Sequence, residues 1–191
     1  MRRVVVTGLG FITSIGNSRA EVLQSLREQR SGIEVHPELA ARDLPVKLAG
    51  TIKGFEFPSP YPDTWKLPPG LEIPRVQRRS LPPHGVYAVA AMREAIADAA
   101  LTPDLVSHER TGMMCASAGS GWLLHRFTNK FTEEGPLQCH PMSLAASIAG
   151  ALNFNLVASF KIKGASCGFT SACASSAHAF GAALDLIWFG R

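Results

Sequence analysis

Among the side chains able to do chemistry, Cys173 stands in the sequence that presents a nucleophile most directly. It lies in Gly168-Phe169-Thr170-Ser171-Ala172-Cys173-Ala174-Ser175-Ser176-Ala177. A strand-like run from Phe160 to Thr170 ends there in tiny residues, and an Ala-rich run with helical spacing, Ala174 to Phe189, begins. A cysteine capping a helix faces the first-turn N–H groups and the positive end of the dipole, which favour a thiolate and supply donors to an oxyanion. Small side chains at Ala172, Ala174 and Ser175 suit a tight strand-to-helix elbow that has no room for bulk. On these residues alone, an inert buried cysteine is an equally good reading.

Positioning such an elbow requires a layered scaffold, and the chain carries its signals. Val4 to Thr7 reads as a short buried strand ended by a turn at Gly8-Leu9-Gly10. Ser18 caps a helix from Arg19 to Gln29, with Val22, Leu23 and Leu26 inward and Ser31-Gly32 as its stop. Phe55 to Pro83 holds eight prolines, Pro60 among them, and reads as irregular chain laid over the surface rather than core. His84 to Ala100 is helical, with Val86, Val89, Ala90, Ile96 and Ala97 on its apolar side. A buried strand follows at Thr111 to Ser117, then a break at Gly119-Ser120-Gly121 and a helix around Trp122 to Phe131. Pro141 opens a small-residue helix through about Asn153, and a third strand leads into Cys173. Strands alternating with helices imply an α/β architecture with a parallel layer covered by helices.

The 191 residues, 46% hydrophobic and 18% charged, describe a globular chain rather than a disordered one. The cysteines at 115, 139, 167 and 173 show no Cys-x-x-Cys spacing, so neither a disulfide framework nor a metal site is favoured, and a reducing cytoplasm fits. The start of the chain is too short in apolar residues for a signal peptide, and the apolar C-terminal helix is too short to span a membrane. Lys and Arg exceed Asp and Glu by a formal charge of +4, which permits an acidic partner, but no basic run with interleaved aromatics points to nucleic acid. Between Gly135 and Gly190 the charged residues are Lys161, Lys163 and Asp185. So apolar a stretch calls for cover by a larger body or a subunit interface, and the chain reads as incomplete.

Two other chemistries fail on inspection. Gly8-Leu9-Gly10 after a first strand invites a dinucleotide-binding turn, but Thr13 stands where the third glycine belongs, and a tight turn is the better reading. Met113, Met114 and Cys115 read as packing on a buried strand, and Cys139-His140 lacks partners at metal-ligand spacing.

Arg2-Arg3-Val4-Val5-Val6-Thr7-Gly8-Leu9-Gly10 at one end and Thr170-Ser171-Ala172-Cys173-Ala174-Ser175 near the other make the chain resemble the β-ketoacyl-[acyl-carrier-protein] synthases, elongating type. The resemblance runs in order through the Arg75 to Ser80 segment, the Arg110 to Gly121 strand and turn, and the Pro141 to Leu152 helix. It raises the nucleophile reading of Cys173 well above its local odds.

The resemblance implies a thiolase-like α/β fold, with residues 1–191 forming most of the first of two related halves as one truncated domain and a mixed, mainly parallel sheet. It implies ping-pong acyl transfer: Cys173 takes an acyl group from acyl carrier protein, and malonyl carrier protein then loses carbon dioxide and attacks the enzyme thioester. The family's two catalytic histidines lie in the second half, so condensation is not expected from this chain alone. His178, about 140° round the helix from Cys173, is no substitute. Arg75, Arg78 and Arg79 fall where the resemblance places a docking patch for the acidic carrier protein, and Ser117 to Gly121, with Ser117 and Gly119 as its pocket residues, where it places the acyl-pocket turn. Ala116-Ser117-Ala118 replaces a more glycine-rich pattern, Ala165 a usual proline, and Ala174 a common threonine, so acyl length and pathway, fatty acid or polyketide or polyene, stay open. No cofactor is implied, and a homodimer or heterodimer is expected. The alternatives are a split or truncated subunit that binds carrier protein without turnover, and a thiolase-like enzyme acting on coenzyme A substrates.

Overall fold

The computed structural model describes residues 2–59 and 61–190; Met1, Pro60 and Arg191 lie outside them. In chain order the elements are α1 (Arg19–Arg27), β1 (Ile33–Val35), α2 (Pro37–Ala40), β2 (Leu48–Gly50), α3 (Arg75–Arg78), α4 (Pro83–Asp98) and α5 (Pro103–Val106). There follow β3 (Met113–Ala116), α6 (Gly121–Glu134), α7 (Ser143–Ser147), α8 (Ala151–Phe160), β4 (Ser166–Phe169) and α9 (Ser175–Phe189).

β3 and β4 pair in parallel, with Cys115 opposite Gly168. Alternation along a strand sends neighbouring residues to opposite faces. Gly168 and Cys115 face α8, through Asn153 and through a shared cluster with Leu152 and Leu156. Cys167, Phe169 and Met114 line a space with Ala182, Leu186 and Phe189 of α9. The parallel pair is therefore sandwiched between α8 and α9, the layering that the alternation of elements predicts. A separate antiparallel pair joins β1 to β2, which the sequence reading does not foresee.

The main core differs from expectation. Phe55, Trp65, Ile73 and Leu81, all from the Pro-rich stretch, are buried with Val86 and Val89 of α4. Phe57 meets the Trp65 and Tyr87 rings edge-on, at 5.0 and 5.6 Å, and the Trp65 indole N–H donates to the Ser59 carbonyl at 2.8 Å. Proline forbids regular ladders, not burial, so the stretch folds back on itself through the Glu56–Lys66 bridge and fills the face of α4.

Val4 to Thr7 forms no strand. The chain after it, Gly8 to Phe11, runs beside α4, where the Asp98 carboxylate accepts from Leu9 N–H at 3.0 Å and the Glu94 carboxylate from Phe11 N–H at 2.8 Å. Gly8 and Gly10 are there for close approach rather than for a turn: a Cβ on Gly10 would stand 1.8 Å from the Ala91 carbonyl oxygen. α1 starts at the predicted Ser18, whose hydroxyl accepts from Glu21 N–H at 3.2 Å. Its buried face is Val22 and Ser25, because Ser25 Oγ donates to the Ile15 carbonyl at 2.6 Å, and Leu23 and Leu26 are exposed. The single helix predicted from Pro141 is two, α7 and α8, separated by extended backbone at Ile148. α8 continues to Phe160, so the strand before the elbow starts at Ser166 instead of Phe160.

Candidate active site

The elbow is compact. β4 ends at Phe169, α9 starts at Ser175, and Ala172 adopts φ 49°, the left-handed region that non-glycine residues seldom enter. Ser175, buried, holds this turn with one oxygen: its Oγ accepts from Ser171 N–H at 2.8 Å and donates to the Ala172 carbonyl at 2.7 Å. The helix cap is Ala174 and not Cys173, which lies one residue earlier and is exposed. His178 turns back to the elbow, its Nδ1 within 2.7 Å of Ser171 Oγ.

Ser117 and Gly119 lie beside this elbow, at the carboxyl end of β3, where parallel sheets gather ligands. Thr170 Oγ1 donates to the Ser117 carbonyl at 2.7 Å, and Ser117 N–H to the Phe169 carbonyl at 3.2 Å. Ser117 Oγ accepts from Gly119 N–H at 3.0 Å and stands 3.3 Å from His84 Nε2. Gly119 has φ 80°, and a Cβ there would stand 2.9 Å from the Ser147 oxygen, so the helix break after Ser147 is fitted to this glycine. Burial holds the His84 imidazole below its ordinary pKa of 6.5. No sequence signal singles out His84.

The four thiols are not equivalent. Burial pushes the Cys115 thiol up, which keeps it protonated and unreactive. Cys139 is half-buried, while Cys167, mid-strand, and Cys173, at the elbow, are exposed. Among the described residues no group of three or more His, Cys, Asp or Glu side chains could hold a metal, and no helix is long and apolar enough to cross a membrane.

The three arginines divide. Arg75 pairs with Asp63 at 2.7 Å, and Arg75 and Arg79 face a cavity of about 500 Å³ bounded by α6. Arg78 points elsewhere: Nη1 donates to the Pro62 carbonyl at 3.2 Å, Nε is buried without a partner among the described residues, and the side chain lines a different space with Trp65 and Arg93. Arg126 and Lys130 of α6 join Arg75 and Arg79 at the first cavity. Their four-residue spacing on one helical face was the available sequence signal.

The sequence model of "Beta-ketoacyl synthase, N-terminal domain" matches residues 1–191. The chain is 38% identical to 3-oxoacyl-[acyl-carrier-protein] synthase 1 of Haemophilus influenzae, covering 100% of this chain and 44% of that protein. It is 34% identical to the Escherichia coli K12 protein of the same name, covering 100% and 45%. The chain thus spans less than half the length of these relatives. Among solved structures, a beta-ketoacyl synthase from Burkholderia phymatum superposes with a TM-score of 0.80 at 27% identity, over 100% of this chain and 45% of that one. A ketosynthase solved in complex with its acyl-carrier protein (AntDE:AntF) shares the fold, with a TM-score of 0.73 at 20% identity over 97% and 46%. The fold is thus thiolase-like, a part of the ketosynthase architecture, and the chain belongs to the beta-ketoacyl synthase family through its N-terminal domain.

Proposed function

We propose that residues 1–191 form one unit carrying the acyl-accepting nucleophile of a 3-oxoacyl-[acyl-carrier-protein] synthase, with Cys173 as the catalytic residue. The observation that carries this reading is the exposed thiol at the strand-to-helix elbow, set one residue before the cap of α9. Cys173 Sγ attacks the carbonyl carbon of an acyl thioester, the carrier's thiolate leaves and takes up a proton, and the acyl group remains as an enzyme thioester. The positive end of the α9 dipole favours the thiolate and the developing oxyanion. Ser117 and Gly119 form the wall along which the acyl chain runs, because their turn is hydrogen-bonded to the strand that ends at the elbow.

Arg75 and Arg79 present the acidic carrier protein with charge, and Arg78, turned inward, supports the segment that bears them. Condensation with malonyl carrier protein is assigned to the full length of such a synthase; this chain spans 44% of the Haemophilus influenzae relative. The exposed apolar side chains of α9, Phe180 and Phe189 among them, favour an assembly, homodimeric or heterodimeric, and a reducing cytoplasm suits a free catalytic thiol.

The test is intact mass after incubation with an acyl carrier protein thioester. An acyl adduct is expected on the chain and not on Cys173→Ala, and the adduct should persist when malonyl carrier protein is added to this chain alone. A folded chain that takes no adduct, or an adduct that survives Cys173→Ala, removes the assignment.

A further inference from the structure

The cavity of about 500 Å³ lies away from the elbow residues, and none of Cys173, Ser117 or Gly119 lines it. Its size is that of an ordinary small-molecule site. Two rows of α6 face it side by side: Leu123 and Phe127, four residues apart, and Arg126 and Lys130, also four apart. Across from them stand Arg75 and Arg79, with the buried Leu81 and Ala146 at the floor. Leu81 and Ala146 thus lie deep, Arg75 and Arg79 are exposed at the rim, and the α6 side chains are half-buried between them.

The charge at that rim is not neutralised. Asp63, the carboxylate lining the cavity, is taken by Arg75 at 2.7 Å. Lys130 reaches Glu134 at 3.7 Å, a loose pair with both groups partly exposed. Arg126 lies over the Tyr61 ring, 5.3 Å from its centroid. Among the described residues neither Arg126 nor Arg79 is in an ion pair. Two guanidiniums without carboxylates above an apolar floor match one ligand chemistry: an anionic head that takes forked N–H donors, joined to an apolar chain.

We propose that this cavity binds a small amphiphilic anion, a straight-chain carboxylate or alkyl phosphate, with its head on Arg79 and Arg126 and its chain on Leu81, Leu123, Phe127 and Ala146. Arg75 and Arg79 are also the arginines that the proposed function gives to the carrier protein, so the occupant competes with docking. That second step rests on the functional reading, and the binding itself does not. The occupant regulates access to Cys173 without touching the thiol.

Titration calorimetry on the full chain, with decanoate, decyl phosphate and decan-1-ol each below its aggregation limit, tests this directly. One or both anions should bind with unit stoichiometry, their ranking tells carboxylate from phosphate, and decanol should bind at least tenfold more weakly. Arg79→Gln with Arg126→Gln should weaken the anion at least tenfold while leaving the far-ultraviolet dichroism unchanged. Ser143→Phe, which fills the cavity and leaves every charge in place, should do the same. Equal binding of decanol, no binding of either anion, or full binding by both variants overturns the proposal. If the anion binds while a carrier protein fails to dock on the unliganded chain, the docking reading fails and the cavity assignment stands. If the carrier docks unhindered by bound anion, the competition is wrong.

Discussion

The Pro-rich stretch from Phe55 to Leu81 supplies Phe55, Trp65, Ile73 and Leu81 to the main core. The stretch from Gly135 to Gly190, with three charged residues, leaves Phe154, Phe180 and Phe189 at 56%, 72% and 67% exposure. By composition the first should lie outside, and the second calls for cover by a larger body or a subunit interface. Burial follows instead from what each stretch finds to pack against. The first meets the apolar face of α4, whose Val86 and Val89 are closed from solvent. The second folds around a two-stranded layer, and Phe154 and Phe180 stay exposed on its outward faces.

Substitutions can break this contrast. Trp65→Ala should be the most damaging, with a loss of about 3–5 kcal/mol in denaturant unfolding, because it empties a buried site and orphans its bond to Ser59. A loss below about 1 kcal/mol would return the Pro-rich stretch to the surface. Asn155→Ala comes next. Its amide joins the two stretches, donating to the Ser80 and Ala151 carbonyls at 2.9 and 2.7 Å and accepting from Ser80 Oγ at 2.6 Å. Removing it should cost about 1–3 kcal/mol, measured the same way.

His84, in α4 beside Ser117, should make stability depend on pH. Its folded pKa lies below its unfolded value of 6.5, so the unfolded chain binds the proton more tightly. The His84 contribution is therefore complete above that value and is lost as pH falls towards the lower folded pKa. His84→Gln should flatten the stability profile in that window, and an unchanged slope would assign the dependence to other groups. Phe180→Ser should change stability least, by less than about 0.5 kcal/mol, yet reduce self-association in sedimentation. A large loss of stability would show that the α9 face is internally packed after all.

Local signals were readable in the sequence where one side chain or one backbone rule decides them. Ser18 starts α1, Gly119-Ser120-Gly121 precedes α6, and the run of tiny residues before Cys173 marks the elbow. What stayed hidden depends on partners distant along the chain. Val5 and Val6 look like strand residues, but a strand needs a ladder, and the α4 carboxylates bind the chain beyond them instead, at Leu9 and Phe11 N–H. Leu23 and Leu26 look inward by type, but Ser25 is drawn in by a backbone carbonyl. Within the candidate site the thiol and the turn at Ser117 were named from sequence. His84, Arg126 and Lys130 were not, because their relevance lies in the residues facing them.

Ser175 has a consequence for how the site can change. One hydroxyl fixes the backbone on both sides of Ala172, so the aim of the sulfur is set two residues downstream of it. Altering Ser175 would re-point an intact thiol, which makes this position a dial for reach rather than for reactivity. A lineage, or an engineer, could move the thiol while leaving Cys173 itself untouched.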